Sequence, residues 1–381
     1  MVKVGKWVVS IILIASLTAQ PAVSVKGEQQ EITKSISTMS QTFTTSSGKR
    51  TAQIVRINLN DSRLEVRPVL AFNEIGKTQS LQEMAKQNNA LAAINGTFFM
   101  AYNKEDPKPP WGMIVIDFEK KNEKTSGSSI GFNGNLRPVI MTSRNMNENS
   151  FEQITSAGPT LVQDGKVVVD PLGEGMQDPK LTTLSAQRSF IGYTADNQLV
   201  MGTVPNVTLN QLAVICQSMG LQAAMNLDGG ASSGLYAKGK LLTRPGRNLS
   251  NTLIVVQRKS SPIQVKWDSQ VLSFSRQPVI INGSVYVLAE EIFAKLGAKV
   301  TIIQQEKIIA VTKEGREIHL WESGGITVDG GNPTTPVRSR MIAGKLMIPI
   351  RFAAEMLDTS VQWDSQSRTA TIATKGENDK P

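Results

Sequence analysis

A chain of 381 residues with one cysteine, Cys216, and one histidine, His319, has no covalent or metal staple to fold around. A single cysteine cannot close an internal disulfide, and one Cys with one His cannot complete a zinc site. The fold must therefore rest on its apolar core. With 40% hydrophobic and 19% charged residues the chain has the material for one. Its length suggests two domains or three small ones. The same scarcity limits the chemistry. A Ser-His-Asp triad would need His319, which lies outside the region carrying the site motifs and reads as a surface or edge residue of an alternating strand. Carboxylates, amides, hydroxyls, Arg, Lys and backbone N–H groups remain.

The first segment reads as an address. Lys3 and Lys6 precede a mostly apolar run over 7–17, and small residues follow at Ala22 and Ser24. The run is shorter than the ~20 apolar residues a membrane span needs. This predicts a signal peptide over 1–25 and a secreted or cell-wall-associated protein of a Gram-positive-type bacterium, without a transmembrane segment in the mature chain. The formal net charge of +9 lies mainly in the middle of the sequence, since the part from Pro262 onward is nearly neutral. A basic middle region favours an anionic substrate or an anionic cell-wall polymer. No Lys/Arg stripe with interleaved aromatics points to nucleic acid.

Residues 26–50, rich in Ser, Thr and Gln, read as a partly ordered polar lead-in. From 51 to 260, short β-rich runs alternate with a few helices. Strands are expected at 53–58, 64–69, 114–117, 160–163 and 166–169, the last two joined by the hairpin dipeptide Asp164-Gly165. Two segments share one plan. Ser80-Leu-Gln-Glu83 and Thr208-Leu-Asn-Gln211 are capping-box patterns, each opening a helix with one apolar face. Each helix leads into a strand, 90–94 or 223–227, that ends on Asn95-Gly96 or Asp228-Gly229-Gly230. Polar groups on rigid strand ends beside loops are a common way to build a site.

From 261 to 375 the pattern changes and repeats, with 287–311 matching 348–372 at an offset of 61. Val265-Lys-Trp-Asp-Ser-Gln270 also echoes Val361-Gln-Trp-Asp-Ser-Gln366. The unit reads as a hairpin, a short helix and a strand pair, and 376–381 as a disordered tail. The expected class is α+β: a mixed, largely antiparallel sheet domain with a few helices, then a small β-rich α+β repeat domain. This second domain resembles the copper amine oxidase N-terminal-like module, which implies a non-catalytic stalk. A lone His319 cannot build a multi-histidine copper site. Truncation near Ser260 should leave a folded, active fragment unless the repeats cover the cleft.

Five pieces of the middle region stand out: Asn95-Gly-Thr-Phe-Phe99, Gly158-Pro-Thr-Leu-Val162, Arg188-Ser-Phe-Ile-Gly192, Asn226-Leu-Asp-Gly-Gly-Ala-Ser-Ser233 and Ser250-Asn-Thr-Leu-Ile254. Singly, each has a structural explanation as a turn, a loop or a core residue. Together and in this order they resemble the phosphodiester glycosidase family, with Ala231 standing where many relatives carry a third glycine. The resemblance implies hydrolysis of a sugar-1-phosphodiester at the anomeric carbon, of the N-acetylglucosamine-1-phosphodiester type. Sugar and phosphomonoester are then released, here from cell-wall or exopolysaccharide material.

Cleavage there develops positive charge on the sugar ring, and phosphate is already a good leaving group. The chemistry asks for a carboxylate and for cationic donors. Asp228 is the candidate carboxylate, to stabilise the oxocarbenium, attack it or activate water. Arg188 offers a planar fork to phosphate, and Asn95 completes the expected catalytic set. Gly229 and Gly230 are expected to form an anion-binding nest, with Ser232 and Ser233 adding hydroxyls. Gly96, Thr97, Asn226 and Asn251 would line the sugar side. No cofactor is required by these residues. Two rival readings stand beside this one: a wall-polymer binding module in which Arg188 merely pairs with Asp228, and a Ca²⁺ or Mg²⁺ site using Asp228 with Asp170 or Asp178.

Overall fold

The computed structural model describes residues 32–123, 127–133, 137–258, 263–281, 283–332, 337–342, 344–365 and 367–374. The predicted signal segment and tail lie outside these residues. A seven-stranded antiparallel sheet runs in the order Ile36–Thr45, Gly48–Asn58, Gln198–Val207, Ala186–Thr194, Leu221–Asn226, Thr160–Gln163, Lys166–Val167. A five-stranded sheet, Lys240–Thr243, Leu235–Ala237, Ala92–Asn95, Asn251–Gln257, Leu64–Leu70, packs against it. Between them lies a core that includes Val55, Ile57, Ile191 and Met225 from the first sheet and Val66, Ile94, Leu253 and Val255 from the second. A third, five-stranded sheet contributes Ile130, Phe132 and Ile140 to the same core. Helices cover the outer faces: Leu209–Ser218 lays Leu212, Ala213 and Cys216 on the larger sheet, and Leu81–Gln87 lays Leu81, Met84 and Ala85 on the smaller. The sheet-rich α+β class is as expected.

Local chemistry explains the boundaries. Thr208 and Gln211 form a reciprocal capping box, and Ser80 Oγ accepts from Glu83 N at 3.2 Å. Gly220 closes the later helix with a left-handed φ of +77°. Asp164 and Gly165 both take positive φ, as a type I′ turn demands, and pair Gln163 with Lys166. The strand after that turn is shorter than 166–169.

The polar lead-in is the main departure. Ile36–Thr45 is a ten-residue edge strand, paired along its whole length with Gly48–Asn58. Only Ile36 and Phe43 turn inward. Apart from the exposed Met39, the rest is a polar ladder, with Ser40 donating to Gln53 at 2.8 Å and Thr42 beside Thr51 at 2.9 Å. A two-sided polar ribbon lacks the alternation by which strands are recognised, and its Ser, Thr and Gln content hid it.

The second domain has three four-stranded sheets around its own core. The repeat is visible as symmetry. Strands Ser284–Leu288 and Lys345–Pro349 pair antiparallel with Val287 opposite Ile348, the two positions that match at the 61-residue offset. Helices Ala289–Lys295 and Ile350–Glu355 follow them in register. The Trp-Asp-Ser-Gln echoes fall on Gln264–Trp267 and Thr359–Asp364, which flank Thr369–Thr374 on either side. His319 sits on Arg316–Trp321, an interior strand rather than an edge. It is half-exposed, with Nε2 3.1 Å from Glu317 Oε1.

The two domains touch at a hairpin of the third sheet and at the Glu148–Ser150 turn, which meets strand Arg340–Ile342. Asp117 and Phe118 take positive φ at the hairpin's tip, costly for an aromatic residue. Phe118 packs against Ile281, Tyr286, Leu288, Ile342 and Met347 of the second domain, which gives that conformation its compensation. Asp117 accepts from Gln153 Nε2 at 2.7 Å, bracing the tip.

Candidate functional site

The site forms where a strand end of the smaller sheet meets a strand end of the larger. Ala92–Asn95 delivers Asn95-Gly96, and Leu221–Asn226 delivers Asp228-Gly229. They are stitched directly: Asp228 N donates to the Gly96 carbonyl at 3.2 Å, and Asn95 Nδ2 donates to the Asp228 carbonyl at 2.6 Å. Asn95 Oδ1 accepts from Ser189 Oγ at 2.8 Å and Gly234 N at 3.0 Å. Asn95 is 1% exposed, and three strands are tied at its amide. That is a positioning role.

Most other motif residues also hold one another. Asn251 Oδ1 accepts from Thr97 N at 2.8 Å, and Asn251 O accepts from Gly96 N at 3.2 Å. The approach is so close that a Cβ at Gly96 would stand 2.0 Å from Asn251 Oδ1, so this position requires glycine. Asn226 Nδ2 donates to Gly158 O at 2.8 Å while Gly158 N donates to Asn226 O at 2.8 Å, which docks the Gly158-Pro159 loop. Asn226 Oδ1 and Thr97 Oγ1 are buried side-chain atoms without a protein partner. Ser233 Oγ donates to Gln187 O at 3.3 Å, so this hydroxyl serves the scaffold.

Asp228 is the chemically distinctive group. Its carboxyl is set deep among protein atoms although the residue keeps some exposed surface. Burial pushes its pKa up from 3.8 to about 6, against the opposing pull of the Ser232 hydroxyl, the Gly229 N–H and the charges of Arg247 and Lys180. Gly229 N donates to Asp228 Oδ1 at 2.9 Å. The expected anion nest at Gly229-Gly230 is therefore partly filled by the protein's own carboxylate. Gly230 does take the left-handed conformation, φ +60°.

Arg188 lies beside Asp228 in space, with Nη1 3.8 Å from where a Gly229 Cβ would stand. It is 2% exposed and forms no ion pair within 4 Å among the described residues. Its fork points into backbone instead. Nη2 donates to Lys180 O at 2.5 Å and Leu184 O at 2.6 Å, and Nε to Val207 O at 3.3 Å. Burial lowers its pKa. Arg188 thus forms no ion pair with Asp228 among the described residues, and its Nε and Nη2 are spent on backbone carbonyls. It ties down the segment that carries Lys180.

Lys180 and Arg247 are candidate site residues that motif reading missed. Lys180 follows Asp178, whose Oδ1 caps a short helix by accepting from Lys180 N at 2.9 Å. Arg247 lies in the loop before Asn251, and Gly246 N donates to Ala231 O at 2.8 Å beside the Asp-Gly-Gly segment. Both cations meet at Tyr102. Lys180 Nζ is 3.4 Å from its hydroxyl and 4.8 Å from its ring centroid, and Arg247 Cζ is 4.9 Å from that centroid. Neither the short helix that holds Lys180 nor the loop that holds Arg247 carries a motif signal. Only the fold brings both close enough to one carboxylate for their charges to act on it. Asp170 and Asp178, the other proposed metal ligands, spend carboxylate oxygens on the backbone N–H groups of Gly173 and Lys180. No group of three or more His, Cys, Asp or Glu side chains is placed to hold a metal among the described residues.

The site thus joins a buried carboxylate at the junction of two sheets to the charges of two cations that meet at one tyrosine ring. Residues 88–256 match the phosphodiester glycosidase family model, and residues 266–372 match the copper amine oxidase N-terminal domain. Among solved structures, a hypothetical protein from Synechocystis superposes with a TM-score of 0.52 at 18% identity, over 59% of this chain. The chain spans 62% of that protein's length. The catalytic domain of zebrafish N-acetylglucosamine-1-phosphodiester alpha-N-acetylglucosaminidase gives a TM-score of 0.48 at 18% identity, covering 58% of this chain and 83% of that one. No curated protein matches the chain. No helix among the described residues is long and apolar enough to cross a membrane.

Proposed function

We propose that this chain is an exported hydrolase that cleaves a sugar-1-phosphodiester at the glycosyl C1–O bond, releasing the sugar from a phosphomonoester. The observation that carries the reading is that Lys180 and Arg247 meet at the Tyr102 ring close enough to the buried Asp228 carboxyl for their charges to act on it. The lysine-flanked apolar run over 7–17 supports export.

In this reading the two cations hold the phosphate and stabilise the charge it gains. The C1–O bond to phosphate breaks with its electron pair going to the phosphate oxygen. Water attacks C1, and its proton passes to the Asp228 carboxylate and then to solvent. A pKa of about 6 suits a base working near neutral pH. The phosphate departs without an acid carboxylate because Lys180 and Arg247 already neutralise it. Ser232 and the Gly229 N–H orient the carboxylate. Asn95, Gly96, Thr97, Asn226 and Asn251 keep the strand ends in register, and Arg188 acts through Lys180.

The test is incubation with a GlcNAc-1-phosphodiester, with free sugar and phosphomonoester quantified. Release of both in equal amounts, unaffected by EDTA and dialysis, supports the reading. Retention of anionic wall polymer in a salt-sensitive manner with no product would favour the binding-module alternative.

A further inference from the structure

Tyr102 is 76% exposed, yet it is held in place. It sits at the tip of a hairpin closed by the Phe99–Pro110 bridge, by Trp111 N donating to Phe98 O at 2.7 Å and by Met100 N donating to Pro109 O at 3.0 Å. Asn103 Nδ2 donates to Pro107 O at 2.9 Å across the tip, and Asn122 Nδ2 donates to both Pro110 O and Gly112 O at the base. This braced arm carries one aromatic ring to two cations that would otherwise repel each other.

Like charges on flexible side chains separate unless something holds them. Here the ring's negative face attracts both head groups at under 5 Å, and the hydroxyl stands within reach of Lys180 Nζ. The same two cations draw the phenol's pKa down, Arg247 most. The phenol oxygen thus occupies, in the free protein, the kind of position a phosphate oxygen would take between them.

We propose that Tyr102 is a positioning residue that keeps Lys180 and Arg247 paired near Asp228 as a preformed receptor for a phosphoryl group. This rests on the glycosyl-phosphate reading above. A preformed pair loses less side-chain freedom when the anion arrives, so Tyr102 acts on phosphate binding and only secondarily on bond cleavage.

The test uses the full chain and inorganic phosphate as the probe. Phosphate affinity is measured by calorimetry for the parent protein and for Tyr102→Ala, Tyr102→Phe, Lys180→Met and Arg247→Met. In parallel, fluorotyrosine-labelled protein is followed by fluorine NMR, where Tyr102→Phe assigns one of the four tyrosine signals. The expected result is a loss of about tenfold in phosphate affinity for Tyr102→Ala, about threefold for Tyr102→Phe, and a Tyr102 resonance that moves with phosphate. With substrate, KM should rise by similar factors while kcat changes little. Unchanged phosphate affinity in Tyr102→Ala, with affinity lost in Lys180→Met and Arg247→Met, would overturn the role of Tyr102 and leave the phosphate site standing. Failure of the parent protein to bind phosphate at all would overturn both.

Discussion

Asp228 carries opposite demands in one carboxyl group. Its folded pKa of about 6 lies above the 3.8 of an exposed aspartate, so its ionisation opposes folding. The stability it contributes is fully present below pH ~4 and is lost as pH rises through about 6. At neutral pH the penalty is on the order of 1–3 kcal/mol. Asp228→Asn removes it while keeping an oxygen for the Gly229 N–H. The variant should therefore melt higher than the parent above pH 6, and the two should converge near pH 4. Its turnover should fall by ~10²–10⁴-fold. Calorimetric melting across pH, beside initial rates, checks both, and equal turnover would remove Asp228 from the mechanism. In the parent enzyme, kcat/KM should rise through a single acid limb near pH 6 as the carboxylate ionises.

Among the strands and loops, the motif residues act mainly as fasteners. Asn95 joins the Ala92–Asn95 strand to Asp228, Ser189 and Gly234. Asn95→Ala strands three buried groups and should cost about 2–4 kcal/mol in denaturant unfolding. Arg188→Lys cannot reproduce the fork that grips Lys180 O and Leu184 O. It should raise KM for the phosphodiester more than it lowers kcat, because the segment bearing Lys180 loosens. An equal fall of kcat with KM unchanged would argue that Arg188 touches the transition state. What the sequence disclosed follows the same division. Capping boxes, Asp164-Gly165 and the Asp228 strand end were legible because their signals are local. The edge strand Ile36–Thr45 was not, since its polar ribbon shows no apolar period. Lys180 and Arg247 were invisible because their meaning comes from Tyr102, far away along the chain.

Across the whole protein, every residue of the site comes from before Arg258, and the second domain docks against Phe118 and the Glu148–Ser150 turn, none of them site residues. The duplicated domain is legible in the 61-residue repeat, but its docking hairpin is not, because an Asp-Phe turn tip looks like any loop. A fragment ending at Arg258 should keep its activity but expose Phe118 and lose solubility. Phe118→Asp in the full chain should undock the second domain, read as a larger radius of gyration in X-ray scattering with an unchanged far-ultraviolet spectrum. Neither change should alter kcat by more than about twofold.

Cleavage of a GlcNAc-1-phosphodiester in ¹⁸O-labelled water distinguishes which bond the enzyme breaks. The account predicts label in the released sugar at C1 and none in the phosphomonoester, with product formation lost in Asp228→Asn. Label in the phosphate would mean attack at phosphorus, and the glycosyl mechanism built on Asp228 would be wrong.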